Sequence, residues 1–526
     1  MAIEIQIVGH PKDDSSVGKG GGGGGELFGE VNVDSIGNGN GDGVDRGHGD
    51  VPSKLERLSP AARLFHAPRF NCYIVAVMGC KTAIDPAVVK EGLKETLLKH
   101  PRFSSKLVGD IKKGGKMKWV ETRVNLEDHV IVPQVDREMD SPERFVEDYI
   151  SYLTGIPLDT SRPLWELHIL NVRTSDAEAI GVFRIHHSVG DGASLISLLL
   201  ACTRKTSDPQ TLPTLPMQKR AGRGGSRGVW WFVMAFWSFV KLVWNSFVDF
   251  CTFVATFLFL KDTATLIKGN PGVEKTTKRF VHRTVSLDDI KMIKNELKMT
   301  INDVVLGLTQ ASLSRYLTRR YEMENAKEGN KRVHMPKHMR LRATILVNLR
   351  PTAGIQALSD MMAKGSKEKW GNLIGYILVP FNITLQNDPL EHVRQAKSMI
   401  DRKKQSLEAL ITYACAEFVL KAFGSKVASA MAHRLLFNTT VAFSNLVGPM
   451  EEISFYGHPM AYLAPSVYGH PHALTIHFQS YVNKMTISIA ADPEVIPDLH
   501  QLCDDMEESL ESIKAAIPDR EMQSVV

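Results

Sequence analysis

The side chains best suited to chemistry in this 526-residue chain stand together in Arg184-Ile185-His186-His187-Ser188-Val189-Gly190-Asp191-Gly192. Two adjacent histidines are followed by an Asp-Gly pair that starts four residues after the second. An imidazole ordinarily titrates near pH 6.5, so it can be neutral and basic at cytosolic pH and can take the proton that an alcohol gives up reluctantly. Three plainer readings compete. The histidines could be a hydrogen-bonded structural pair. They could be metal ligands, although neighbours on a strand point to opposite faces and no further ligands follow at zinc-site spacing. A short pattern could also arise by chance.

The elements around this stretch must position it. Ile180 to Ile185 reads as a strand, and Ala193 to Cys202, with Leu195, Ile196, Leu198, Leu199 and Leu200, reads as a helix. A polar knot between strand and helix is where α/β proteins gather reacting groups. Asn71 to Met78 is a second buried strand. A helix then starts with Asp85 as its cap and Pro86 in its first turn, and Val89, Leu93 and Leu97 form its inner face. In Pro157 to Glu166 the prolines make a rigid turn where Arg162 can pair with Asp159 or Glu166, and Trp165 opens a strand, Leu167 to Val172, expected beside the one carrying His187.

In the second half Thr300 and Asp303 fit a helix N-terminus whose buried face is Val304, Leu308 and Ala311. Strands are expected at Arg342 to Leu349, at Tyr376 to Phe381 and up to the turn Phe443 to Pro449. Helices are expected at Asp388 to Lys404, at Leu407 to Ala432 and at Pro497 to Ala516. A hairpin around Asn483-Lys484 joins Ala473–Tyr481 to Met485–Ala490. His470, His472 and His477 fall in the last strands and receive no catalytic role.

Composition is that of a globular protein of two or more domains, with 43% hydrophobic and 23% charged residues. A net charge of +5, without basic residues interleaved with aromatics, speaks against nucleic acid as a partner. The six cysteines are scattered without C-x-x-C spacing and read as reduced, buried thiols. Residues 1–57 are expected to be a disordered glycine-rich tail, with neither a secretory leader nor a phosphate loop. Residues 58–205 would form a first domain carrying the histidine pair, 206–270 a linker and 271–526 a second domain.

Within the linker, Val229 to Leu260 is strongly apolar and is broken by Lys241, Asn245 and Asp249, which recur every fourth residue and would form one polar stripe on a helix. Neither apolar half reaches the roughly 20 residues a span requires. A single crossing would also part the two domains. The expectation is a re-entrant hairpin or an interfacial helix, with a buried core helix as the plainer reading.

The spacing H-H-x-x-x-D-G resembles the active-site motif of the CoA-dependent acyltransferase superfamily. Pro157-Leu158-Asp159-x-x-Arg162-Pro163-Leu164-Trp165-Glu166 resembles one branch more closely, the wax ester synthase/diacylglycerol acyltransferase family of plants. Lys99-His100-Pro101-Arg102-Phe103, Asn302-Asp303-Val304-Val305-Leu306 and Ser444-Asn445-x-x-Gly448-Pro449 match it in order, over roughly Leu58 to Pro518. The resemblance implies an α/β fold of two similar chloramphenicol-acetyltransferase-like domains with mixed sheets and an active-site tunnel at their interface. The duplication itself is not visible in the sequence.

The resemblance further implies that His187 is the general base, that His186 helps hold the loop, and that Asp191 points away from substrate and pairs with an arginine. Arg350 is a candidate for that arginine. Gly192 would let the backbone turn tightly. Asn302, Ser444 and Asn445 would shape the site or donate to an oxyanion, beside the simpler readings of helix cap and strand-ending turn. The implied reaction moves a long-chain acyl group from acyl-CoA to a fatty alcohol or a diacylglycerol, with no cofactor, no metal and no acyl-enzyme. Membrane lipid would be a partner. The endoplasmic reticulum membrane would be the location, with the catalytic domains on the cytosolic face and the plasma membrane as a second address. Two alternatives stay open. One is a soluble alcohol acyltransferase or a condensation-type enzyme, against which stand the missing Asp-Phe-Gly-Trp-Gly motif and the missing carrier domain. The other is a non-enzymatic membrane scaffold that retains the fold.

Overall fold

A computed structural model describes residues 56–58, 60–109, 117–135, 139–215, 229–327, 335–336, 339–350 and 370–517. The expected tail lies outside these residues up to position 55, and so does the basic part of the linker, 216–228. In chain order the first half holds β1 (Glu56–Arg57), α1 (Pro60–Leu64), β2 (Tyr73–Cys80), α2 (Pro86–Glu95), β3 (Ser105–Val108), β4 (Lys118–Glu121), β5 (Val130–Ile131), α3 (Pro142–Gly155), β6 (Trp165–Leu170), β7 (Ala179–His186), α4 (Gly192–Cys202) and β8 (Thr203–Lys205). A long helix, α5 (Val229–Leu258), follows. The second half holds β9 (Arg279–Ser286), α6 (Leu287–Glu296), α7 (Ile301–Lys327), β10 (Leu341–Asn348), β11 (Ile374–Phe381), α8 (Leu390–Lys404), α9 (Glu408–Phe437), β12 (Val441–Leu446), β13 (Ile453–Phe455), β14 (His458–Tyr468), β15 (Leu474–Tyr481), β16 (Lys484–Ala491) and α10 (Leu499–Ala515).

Two mixed sheets with separate apolar cores carry the molecule. The first has the order β5-β6-β7-β2-β14-β13-β8 and the second β11-β10-β12-β15-β16-β9, while β1, β4 and β3 make a small third sheet. Glu56 and Arg57, expected in the tail, pair with Trp119 and Lys118. The larger departure concerns β13 and β14. The sequence division puts them in the second domain, but β14 lies antiparallel to β2, with Tyr73 opposite Tyr468, and so completes the first sheet. An apolar run buried on both faces reads the same in either sheet, so composition does not assign it.

Local signals explain most boundaries. Asp85 accepts from Ala87 N at 2.8 Å and caps α2. Thr300 and Asp303 cap α7 reciprocally: Thr300 N donates to Asp303 Oδ2 at 2.8 Å, and Asp303 N to Thr300 Oγ1 at 3.3 Å. Arg162 reaches both proposed partners, Glu166 at 3.2 Å and Asp159 at 3.6 Å. Trp165 is fully buried and donates from Nε1 to Phe103 O at 2.9 Å, a packing role.

Helix α5 corrects one expectation. It is a single 30-residue helix, about 45 Å long, not a hairpin. No glycine or proline lies between Val229 and Leu258 to break it. Nor is it a core helix, since Trp230, Phe232, Met234, Phe236, Trp237 and Phe239 are all exposed. The polar stripe faces protein only in the second half of the helix. Asn245 Nδ2 donates to Gln405 O at 3.1 Å, and Asp249 Oδ1 accepts from Arg402 at 2.6 Å and Lys403 at 2.9 Å. The helix is long and apolar enough to cross a membrane. All six cysteines are free, but Cys251, on α5, is exposed and Cys415 half-buried, unlike the expected burial of all six.

Candidate active site

Strand β7 delivers the histidine pair to the point where the first sheet meets the second half of the chain. His186, its last residue, lies opposite Tyr73 of β2. Its ring is held on both nitrogens, by Ser188 Oγ at 2.7 Å and Asn71 Oδ1 at 3.0 Å, and it stacks on His66 with centroids 4.1 Å apart. Such a ring has no free nitrogen to act on a substrate. His187 differs. Its main-chain N–H donates to Cys72 O at 2.9 Å, and its ring stacks on Phe65 at 4.3 Å. Its Nδ1 is buried, with its own main-chain carbonyl and the Asn372 side chain beside it but no well-formed hydrogen bond. Burial lowers the pKa of His187 from its ordinary value, opposed by its own main-chain carbonyl and by Asp191. The ring is therefore held neutral, the form that accepts a proton.

Asp191 is a structural hub. Its Oδ1 accepts from Ser194 N at 3.1 Å and Ser194 Oγ at 3.0 Å, which caps α4. Its Oδ2 accepts from Arg350 Nη1 at 2.6 Å and Leu373 N at 3.0 Å. Arg350 also donates to Gly371 O at 2.6 Å. The expected partner thus lies where proposed, across the boundary between the two halves. Gly192 is the first residue of α4 and is not among the positive-φ glycines. The extended Asp191, at φ −91° and ψ 178°, makes the entry to α4.

Sequence reasoning missed residues 370–373. Trp370 Nε1 donates to Val189 O at 2.7 Å and Asn372 Nδ2 to His187 O at 3.0 Å. Gly371 between them has φ +115°, a conformation that only glycine adopts without strain. This short segment of the second half clamps the histidine loop of the first. The available signal was the Gly371-Asn372 pair just before β11.

Two apolar cavities meet at His187. A smaller one of about 130 Å³ runs past Gly192 toward Leu97, Leu199 and Phe455. A larger one of about 640 Å³ runs between α5 and α9, past Phe253, Tyr376, Met431 and Leu435. His477 lines both cavities, and His470 and His472 line the larger. Burial lowers His470 and His477 to about 3, so both are neutral. His477 lies opposite Ser444 in the parallel pairing of β15 with β12. Of the three candidate site-shaping residues, Ser444 lines the larger of these two cavities, and Asn302 and Asn445 line neither. Asn445 Nδ2 donates to Asn302 Oδ1 at 2.6 Å, which ties the end of β12 to α7.

The catalytic-domain profile of the wax ester synthase/diacylglycerol acyltransferases matches residues 72–305, and the WS/DGAT C-terminal domain profile matches residues 370–514. The chain belongs to the wax ester synthase/diacylglycerol acyltransferase family. Wax ester synthase/diacylglycerol acyltransferase 5 of Arabidopsis thaliana is 57% identical over 486 residues, which is 90% of this chain and 96% of its own. Number 6 of the same plant is 56% identical over 490 residues, 89% of this chain and 95% of its own. A wax ester synthase/diacylglycerol acyltransferase from Marinobacter aquaeolei VT8 superposes with a TM-score of 0.56 at 18% identity, covering 88% of this chain and 99% of that one. The trichothecene 15-O-acetyltransferase of Fusarium sporotrichioides superposes at 0.52 with 13% identity, over 87% and 95%. At those identities the superpositions speak for the acyltransferase fold alone. Both family profiles span the cavity junction, since His187 falls in the first and Ser444 and His477 in the second.

Proposed function

We propose that this member of the family transfers a long-chain acyl group from acyl-CoA to the hydroxyl of a fatty alcohol or a diacylglycerol, with His187 as the general base. The observation that carries this reading is the junction of two apolar cavities at one neutral imidazole. His187 Nε2 takes the hydroxyl proton as the oxygen attacks the thioester carbonyl carbon. The C–S bond then breaks, and the leaving thiolate recovers the proton from the imidazolium. His186 and the Asp191–Arg350 pair hold the loop and do not touch the reacting atoms. Ser444, opposite His477 at the cavity wall, is the candidate donor to the transient oxyanion. Asn302 and Asn445 fix the strand end that carries it.

The exposed aromatic surface of α5 supports membrane association, and the basic residues Lys219, Arg220, Arg223 and Arg227 just before it suit anionic lipid. The proposed location is the endoplasmic reticulum membrane with both sheets on its cytosolic side, which fractionation of tagged protein and protease protection of microsomes would test.

The deciding experiment is product analysis. Microsomes with wild-type protein or His187→Ala receive labelled acyl-CoA and either a fatty alcohol or a diacylglycerol. Wild type is expected to form labelled ester, and the variant to form at least about 100-fold less at equal abundance and unchanged melting temperature. Equal ester from both would remove His187 as the base. No ester from either, with both folded and membrane-bound, would favour the scaffold reading.

A further inference from the structure

The shape of α9 carries an inference that rests on this functional reading and extends it. A straight 30-residue helix would be about 45 Å long. Both ends of α9 are nevertheless tied to one short stretch of α5. Leu407 N, at the start, donates to Ser246 Oγ at 2.9 Å, and Asn438 Nδ2, just past the end, donates to Thr256 O at 2.7 Å. Ser246 and Thr256 are only about 15 Å apart along α5. Helix α9 must therefore fold back on itself, and it does so at Gly424, whose φ of 79° and ψ of 174° are non-helical. The result is a V with α5 strapped across its open end.

The larger cavity lies inside this V. Its walls come from the first leg (Ile411, Phe418), the second leg (Ala428, Ala432) and α5 (Phe250, Phe253), and it ends at His187. Phe418 lines the cavity and is also 65% exposed, so it marks the mouth. Phe423, 61% exposed, and Val427, 44% exposed, continue the apolar rim at the apex, flanked by the exposed Lys426 and by Lys421, which pairs with Glu417 of the cavity lining at 3.1 Å. Apolar rings at an apex with lysines beside them match the boundary between acyl chains and anionic headgroups. Among the described residues neither cavity lining contains a lysine or arginine, so the phosphates of CoA stay outside both, and it is the apolar rim at the bend of α9 that assigns the larger cavity to the uncharged substrate.

We propose that the V of α9 is a lateral portal whose apex sits in the bilayer, and that the uncharged lipid acceptor enters through it and lays its hydrocarbon chain in the larger cavity with its hydroxyl at His187. The acceptor then moves from bilayer to imidazole without crossing water.

The test uses full-length protein on phosphatidylcholine vesicles, with a ladder of straight-chain alcohols and a ladder of acyl-CoAs in competition. Ala432→Phe fills the second leg's wall. It is expected to shift the alcohol profile of the esters toward shorter chains by about tenfold, with the acyl profile changed by less than about twofold. A shifted acyl profile with an unchanged alcohol profile, or no shift in either, overturns the assignment. Ala428→Leu, one turn away, gives the same reading where Ala432→Phe does not fold. Phe418→Asp places a carboxylate at the mouth. It is expected to lower transfer to a vesicle-borne long-chain alcohol about tenfold while sparing a short, water-soluble alcohol. Equal loss with both alcohols at an unchanged melting temperature overturns the portal. Absence of ester from the wild type with every pair would instead overturn the acyltransferase reading, and the portal with it.

Discussion

Asp191 and Asp249 are both buried carboxylates that tie a helix to a distant part of the chain, yet they are held differently. The oxygens of Asp191 take four donors, two from Ser194 and one each from Arg350 and Leu373. Asp249 takes Arg402 and Lys403 on one oxygen, and its other oxygen is buried with the Ser406 side chain beside it but no well-formed hydrogen bond among the described residues. A fully satisfied polar network rigidifies what it joins. A buried oxygen left without a well-formed hydrogen bond costs about 1–3 kcal/mol against the contact that buries it. The histidine loop is thus pinned across the two halves, whereas Asp249 holds α5 to α8 by a contact that partly opposes itself. That difference suits a fixed base beside a movable lipid mouth.

The largest effect should come from the pinned end. Asp191→Ala leaves the Arg350 guanidinium buried without its counter-charge, and a loss of about 3–5 kcal/mol with disappearance of ester formation is expected. Thermal melting and the microsomal assay measure both. A wild-type melting temperature would erase the contrast with Asp249. The corresponding change at the strap should be smaller. In Asp249→Ala, Lys403 keeps Glu408 at 2.5 Å and the poorly bonded oxygen is removed as well, so about 1–2 kcal/mol is expected in the same melting experiment. A loss as large as that of Asp191→Ala would mean that the strap is as rigid as the loop.

Gly424→Ala tests the bend between the two legs. A Cβ there would meet nothing within 4 Å, so only the positive-φ, extended backbone resists it, by about 1–3 kcal/mol. Unchanged stability would show that the V relaxes freely at its apex. The smallest effects are in pH. Burial raises Glu408 to about 7, a shift that Lys403 opposes. A raised acid contributes stability below its ordinary pKa and loses that contribution as pH rises through the folded value. Between about pH 5 and about pH 8 the wild type should therefore lose melting temperature relative to Glu408→Gln. Parallel curves would place the titration elsewhere. For catalysis, burial lowers His187, so kcat/KM should fall only below about pH 6.5 and stay flat through neutrality. A limb above pH 7 would contradict a neutral base.

Much of this was legible because it is local. The strand, polar loop and helix around His187, the cap of α7 and the hairpin at Asn483-Lys484 depend on neighbours a few residues apart, and they stand at nearly the expected boundaries. What escaped is what depends on distant partners. Lys241, Asn245 and Asp249 look like interruptions of an apolar run until Arg402, Lys403 and Gln405 are beside the last two of them. Residues 370–373 carry no motif, and their work lies in main-chain and side-chain contacts to a loop about 180 positions earlier. A glycine inside the expected helix Leu407–Ala432 was tolerated by its pattern, and only the two anchors on α5 reveal it as a bend. The capping reading of Asp303 and the structural reading of Trp165 needed no tertiary information.

The crossing of β14 into the first sheet bears on how the chain is made. Strand β2 leaves the ribosome early, but its partner along one whole edge, from Cys80 opposite Met460 to Tyr73 opposite Tyr468, is among the last segments synthesised. At about 5–20 residues per second the delay is roughly 20–80 s. Throughout that interval an apolar strand has one edge unpaired, a template for joining other chains. Newborn protein should therefore engage chaperones until synthesis is nearly complete, and fragments ending before His458 should aggregate even though they contain the whole histidine motif.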